Sequence, residues 1–255
     1  DLPYDYDPLP SKLSVAGDSV VILVNGNAEN DSYGYKVSSV TAPVPAKGTK
    51  YTAGNLVYKV TKSDAKKGEA AVSGVKDKKL TKAAVKSSIK IAGYTFKVTS
   101  IGSKAFKGCS KLKSVSTGSY VKSVGTSAFQ GCKSLTKVKF GKNMQNIGAS
   151  AFQSCTKLTS VSLGAKISAV RKNAFRSCSK LKSVTIGKGV KVIEAGAFAN
   201  DKALKTIKIA SPVLKSVGKK AFTKVPKKAK VTVPKSKKAA YQQLLKKGGF
   251  TGKVK

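Results

Sequence analysis

The chain has 255 residues, with 50 Lys+Arg against 11 Asp+Glu, no histidine, no tryptophan and a formal net charge of +39 at pH 7. That length supports a sizeable core, and the lack of histidine excludes Ser-His and Cys-His nucleophile pairs and histidine-ligated zinc. The longest aliphatic run, Val20 to Val24, is far too short to cross a bilayer.

Taken in order, Asp1 to Ser11 holds three prolines, three aspartates and two tyrosines and reads as an extended arm. Asp1 in place of methionine reads as a processed chain whose signal peptide has been removed. Ser19 to Val24 is a strand candidate, and Tyr33 to Val40 a second that can pair with it across the polar turn Asn25–Ser32. Pro43 and Pro45 mark a boundary. Residues 1–50 are therefore read as an N-terminal arm with a small β-hairpin region. Residues 51–100 are read as a β-rich N-terminal cap. Its strands are Leu56–Val60, Ala70–Val75, Ser88–Ile91 and Tyr94–Val98, the last two joined by the tight turn Ala92-Gly93.

Residues 101–234 are a repeat, entered in phase at about Ile89. Ala-Phe recurs with the second residue at Phe106, Phe129, Phe152, Phe175, Phe198 and Phe222, in steps of 23, 23, 23, 23 and 24. Leu112, Leu135, Leu158, Leu181 and Leu204 keep the same step, as do Cys109, Cys132, Cys155 and Cys178. Such a period means a solenoid whose turns bury a shared core that no single turn can bury alone. Val161 and Leu163 alternate with Ser160 and Ser162, which is strand periodicity. Gly164 is expected to end that strand with a positive φ, and Ala174–Cys178 is expected to form one helical turn. The six strands are expected to form one parallel sheet. The four cysteines, at one repeat position, are read as buried free thiols about 4.8 Å apart rather than disulfides. In residues 235–255, Ser236 is an N-cap signal for a short helical cap through Leu244 and Leu245, stopped by Gly248-Gly249. Thr251–Lys255 is read as one further short strand.

The pattern L-x-x-V-x-L-G-x-x-I-x-x-V-x-x-x-A-F-x-x-C, seen from Leu158 to Cys178, resembles the BspA-type leucine-rich repeat of bacterial surface proteins. The resemblance covers roughly residues 89–234, with the entry segment Val98–Phe106 and the exit Val231–Ser236. Arg171 and Glu194 depart from it, standing where glycine is usual. It implies an α/β solenoid with a parallel β-sheet on the concave face and short helical turns on the convex face. It also implies an extracellular, cell-surface location and a role in adhesion. It carries no catalytic residue and no cofactor.

If the Val and Leu of each strand point inward, their neighbours point out. The candidate ligand-contacting face is then Ser114, Ser116, Lys137, Lys139, Ser160, Ser162, Ser183, Thr185, Thr206, Lys208, Lys230 and Thr232. It holds hydroxyls and ammonium groups, with no aromatic anchor and no acid. Residues 1–77 carry 9 Lys and 9 Asp+Glu, so the whole +39 lies on residues 78–255, where Glu194 and Asp201 are the only acids. Two carboxylates facing one cleft are absent from that stretch, which argues against glycoside hydrolysis. With only Arg171 and Arg176 as arginines and no stacking platform, sequence-specific nucleic acid is disfavoured. The reading is a non-enzymatic, surface-displayed binding or adhesion module whose partner is a host or matrix protein. The alternatives are a lysine-rich, wall-retained protein holding an anionic cell-wall polymer of teichoic-acid type, and a spacer that presents the N-terminal region.

Overall fold

The computed structural model describes residues 21–24 and 37–255. Val21–Val24 pairs antiparallel with Val37–Thr41, as the two strand candidates suggest. The expected arm, 1–11, and the polar turn, 25–32, lie outside the described residues.

Alternating burial builds the N-terminal part. In Leu56–Lys62, Leu56, Tyr58 and Val60 are buried, and the strand pairs antiparallel with Lys50–Ala53 on one side and Glu69–Val75 on the other. Ser88–Ile91 and Tyr94–Ile101 form the expected hairpin, with Ala92 and Gly93 both at positive φ (48° and 82°), as a type I′ turn requires. Tyr94–Ile101 then pairs parallel with Glu69–Val75 and carries the sheet into the repeats.

The repeats stack into a parallel-strand solenoid of about seven turns. The expectation of one sheet needs correction, because two parallel ladders run along the stack. The first joins Lys82–Val85, Ser114–Thr117 and Lys137–Lys139, then resumes as Ser160–Ser162, Ser183–Ile186, Thr206–Ile209, Lys230–Thr232 and Lys253–Val254. The second grows out of the cap as Tyr94–Ile101, Ser123–Val124 and Asn146–Ile147, and resumes as Ala169–Val170, Val192–Ile193 and Ser216–Val217. The repeat also starts earlier than Ile89. Lys82–Val85 pairs with Ser114–Thr117 in register, Ala83 opposite Val115. Its sequence, Leu80-x-x-Ala83-x-Val85, is the repeat motif with alanine for valine, and the 88–98 hairpin hides the period behind it.

Both ladders break at the same junction. In the first, Phe140 stands where the later strands have Leu163, Ile186 and Ile209. Its ring meets that of Phe152 in the same turn edge-on at 5.8 Å, and Val138 beside it is only half-buried. In the second, Arg171 follows Gly148. A Cβ at Gly148 would stand 2.6 Å from the Thr126 amide nitrogen, so a side chain at this position forces the turns apart. Glu194, one turn on, is accommodated because its carboxylate accepts the Lys172 N–H at 2.8 Å and pairs with Arg171 at 2.8 Å.

The Ala-Phe segments are not helical turns. Each is a pair of tight turns in which the Cys amide reaches back to the Phe carbonyl, as in Cys109 to Phe106 at 3.1 Å. Left-handed residues flank the phenylalanine two positions before it (Ser127, φ 55°; Asn173, φ 56°) and two after (Gly131, φ 74°; Ser177, φ 63°). A right-handed helix cannot pass through such residues. The freed amides turn outward and bond the next repeat: Phe106 N–H to Ala128 O at 2.8 Å, Phe129 to Ala151 at 2.7 Å, Phe152 to Ala174 at 2.8 Å. The rings stack at centroid distances of 4.9 to 5.5 Å from Phe106 to Phe222, and Phe250 closes the column edge-on at 5.8 Å.

At the C-terminal end Ser236 does not cap the helix. It lies inside the 3₁₀ turn Lys235–Lys237, the α-helix runs Lys238–Lys247, and no side chain caps either. Ala239 and Ala240 are exposed, and Tyr241 and Leu245 carry the buried face. The Tyr241 hydroxyl donates to Ser211 O at 3.1 Å and accepts the Leu214 N–H at 2.9 Å.

Gly164 also departs from expectation, for its φ is not in the left-handed region. The strand-end glycines serve close approach instead: a Cβ at Gly141 would lie 2.5 Å from Gly118 O, and one at Gly187 2.4 Å from Leu163 O. Gly164 faces the broken junction, and nothing lies within 4 Å of its added Cβ. Gly141→Ala should therefore cost about 1–3 kcal/mol, and Gly164→Ala should be near neutral, read as shifts in denaturant midpoint. In the same assay Phe152→Ala, which removes the ring packed against Phe129, Phe175 and Phe140, should cost about 3–5 kcal/mol. Phe106→Ala, with one stacked neighbour, should cost less.

Candidate functional site

All twelve residues of the candidate face lie on the first ladder, and every one is exposed or half-exposed. The valines and isoleucines between them point inward: Val115, Val161, Val184, Ile207 and Val231 are buried. Register sets the rows. Lys137 lies beside Ser114 and Lys139 beside Ser116. Beyond the break, Ser160, Ser183, Thr206 and Lys230 form one row, and Ser162, Thr185, Lys208 and Thr232 the other. The Phe140 junction thus separates Lys137 and Lys139 from the hydroxyl-rich rows. Sequence reading missed the ends of the face. Lys82 and Ala84 precede Ser114 and Ser116, and Lys253 follows Lys230. The Leu80 motif was the available signal for the first.

Hydroxyls below the face tie turns together. Thr136 Oγ1 donates to Lys113 O at 3.0 Å and Thr159 Oγ1 to Thr136 O at 3.4 Å. Among the described residues, no lysine of the face pairs with an acid. Of the two acids beyond residue 77, Glu194 is paired with Arg171, and Asp201 is fully buried. One aromatic-cation contact lies near the N-terminal end, where the Lys97 ammonium sits 5.0 Å from the centre of the exposed Tyr120 ring.

The four cysteines are free and buried. Each later thiol donates to the Phe carbonyl of the preceding turn: Cys132 to Phe106 at 3.1 Å, Cys155 to Phe129 and Cys178 to Phe152 at 3.2 Å. Burial pushes Cys132 up to about 12 and Cys155 and Cys178 well above the usual thiol range, so no reactive thiolate forms near neutral pH. Among the described residues no group of His, Cys, Asp and Glu is placed to hold a metal ion.

Asp201 takes the cysteine position in the fifth turn. Its Oδ1 accepts the Cys178 N–H at 2.8 Å, and its Oδ2 has no partner among the described residues. Burial raises its carboxyl well above the usual carboxylate range, against the weaker downward pull of the Cys178 amide. A carboxyl raised by folding stabilises the protein at low pH, and this contribution is lost as pH rises from the unfolded value of about 3.9 through the folded one. Asp201→Asn cannot titrate there. In urea titrations from pH 5.5 to 8.5, its midpoint should gain on the wild type steadily as pH rises.

Comparison with known proteins places these features. The model of the BspA type leucine-rich repeat region matches residues 99–228 and 168–247 in six copies. Among solved structures, the chain is similar to a leucine rich cell surface protein from Faecalibacterium prausnitzii at 21% identity and a TM-score of 0.55. That match covers 74% of this chain and 55% of the other, so the chain spans about half the length of that protein. It is also similar to the T. pallidum leucine rich repeat protein, at 22% identity, a TM-score of 0.57 and coverage of 80% and 98%. A search of curated proteins finds no match. No helix among the described residues is long and apolar enough to cross a membrane.

Proposed function

The chain belongs to the BspA-type leucine-rich repeat family, and on that premise we propose that it is a non-enzymatic binding module displayed at a bacterial cell surface. It engages an acidic partner, a host or matrix protein, through the exposed side of its first ladder, the concave face of the solenoid. The observation that carries this reading is the two-row array itself. It presents Ser, Thr and Lys at strand spacing on a rigid buried framework, with no acid among its twelve residues. A protein partner with carboxylates at matching spacing would meet donors along the whole array, and complementary charge sets the encounter rate and register. The cell-surface location follows the family and the F. prausnitzii protein.

A second reading has its own support. The +39 charge is unopposed, since Glu194 is paired and Asp201 buried. Such a surface suits an anionic wall polymer of teichoic-acid type, held by many weak contacts.

Two lysine sets separate the readings. Lys137, Lys139, Lys208 and Lys230 stand on the face, while Lys104, Lys107, Lys172 and Lys219 are exposed elsewhere. Binding to an immobilised acidic matrix protein should fall at least tenfold when the first set is replaced by serine and change little for the second. Binding to poly(glycerol phosphate) should fall equally for both sets, and by on the order of a hundredfold between 50 and 200 mM salt. No binding of the matrix protein by the wild type, with salt-sensitive polymer binding, would reverse the order of the two readings.

A further inference from the structure

The two ends of the solenoid are finished differently. At the C-terminal end the helix and Phe250 cover the last turn. Among the described residues, three strands at the N-terminal end stop as sheet edges: Lys50–Ala53 ends the cap sheet, Lys82–Val85 ends the first ladder, and Ser88–Ile91 pairs only with Tyr94–Ile101. All three contribute to one open groove of about 640 Å³. Tyr51, Leu56 and Leu80 supply apolar lining, Lys82, Lys86 and Lys90 supply charge, and no acid among the described residues lines it.

The edge at Lys82–Val85 is chemically unfinished. The Thr81 carbonyl accepts the Lys113 N–H at 2.7 Å, so Thr81, Ala83 and Val85 direct their backbone groups toward Ser114–Thr117. By the alternation of a strand, the N–H and C=O groups of Lys82 and Ala84 point the other way. Among the described residues nothing pairs with them. Lone strand edges of this kind bind extended chains by strand addition.

We propose that the groove docks an extended acidic segment of a partner protein, which adds as a strand along Lys82–Val85. Its alternate apolar side chains lie against Tyr51, Leu56 and Leu80, and its acids meet Lys82, Lys86 and Lys90. The proposal rests on the reading of the chain as a binding module, but on a different surface from the twelve-residue face.

The test is fluorescence anisotropy with a labelled alternating Glu-Val decapeptide at physiological salt. A twin N-methylated at every second residue keeps the charge and loses one row of donors. The peptide should bind the full chain, and the twin should bind at least tenfold more weakly. Ala84→Pro removes the outward N–H and no ladder bond, as an edge strand tolerates, and should weaken binding at least tenfold with an unchanged urea midpoint. Lys82→Glu with Lys86→Glu should do the same without touching the backbone. Replacing Lys137, Lys139, Lys208 and Lys230 by serine should leave peptide binding intact, so failure of the face and failure of the groove are read separately. Equal binding of peptide and twin, or equal loss when Lys227, Lys228, Lys235 and Lys237 are replaced by serine, would reduce the effect to diffuse charge and overturn the proposal. Tenfold tighter binding by the full chain with Asp1, Asp5 and Asp7 changed to Asn would assign the groove to the chain's own N-terminal segment. A dimer dissolved by the peptide would assign it to a second copy. Either result overturns docking of a partner segment.

Discussion

The structure depends on one column. Six phenylalanine rings stack from Phe106 to Phe222, and the amide of each bonds to the carbonyl of the residue before the next ring or, for Phe222, to Gly248 O. Rows on either side add a second and third bond at most junctions, such as Lys104 N–H to Thr126 O and Gly108 N–H to Gln130 O. Both ladders break between the turn that holds Phe152 and the turn that holds Phe175, yet across that junction the column keeps its bonds Ser150 to Lys172, Phe152 to Ala174 and Ser154 to Arg176. Close packing of rings and satisfaction of backbone donors occur at the same place, which is why alanine precedes each phenylalanine: a larger side chain would hold the backbones apart.

Because the column and the buried Leu and Cys positions provide cohesion, the surface is free to carry charge. Lysines project from every turn, and long stems let their ammonium groups stay in water. The few acids are used locally. Glu194 stands at a glycine position; its own N–H keeps the bond to Val170 O at 2.8 Å, and its carboxylate adds a bond from the Lys172 N–H. Asp201 fills a cysteine position at an electrostatic cost. The result is a surface with a long-range positive field and a chemically quiet interior.

The ends show what stacking alone leaves undone. A parallel ladder has no intrinsic terminus, so each end exposes backbone donors and acceptors. Downstream, the Tyr241 hydroxyl and the strand Lys253–Val254 satisfy several of these groups. Upstream, the cap sheet is fused to the second ladder through Tyr94–Ile101. The start of the first ladder is left as an edge.

The sequence by itself determined the period, the inward phenylalanine, leucine and cysteine positions, the 88–98 hairpin turn and the candidate face. All of these follow from side-chain identity repeated at a fixed step or from a two-residue turn rule. Tertiary structure alone decided the rest. Beyond Tyr94–Ile101 the second ladder consists of two-residue strands such as Ser123–Val124, too short to show alternation, and exists only because neighbouring turns supply partners. The left-handed residues that replace the expected helical turns include Asn173, Asn200 and glycines, which favour that conformation, but most are Ser and Lys, which give no local signal and are held there by inter-turn bonds. The role of Gly141 against that of Gly164, the break at Phe140 and the open edge at Lys82–Val85 are distances between turns. A chain read one residue at a time does not contain them, because they depend on how closely one turn settles on the last.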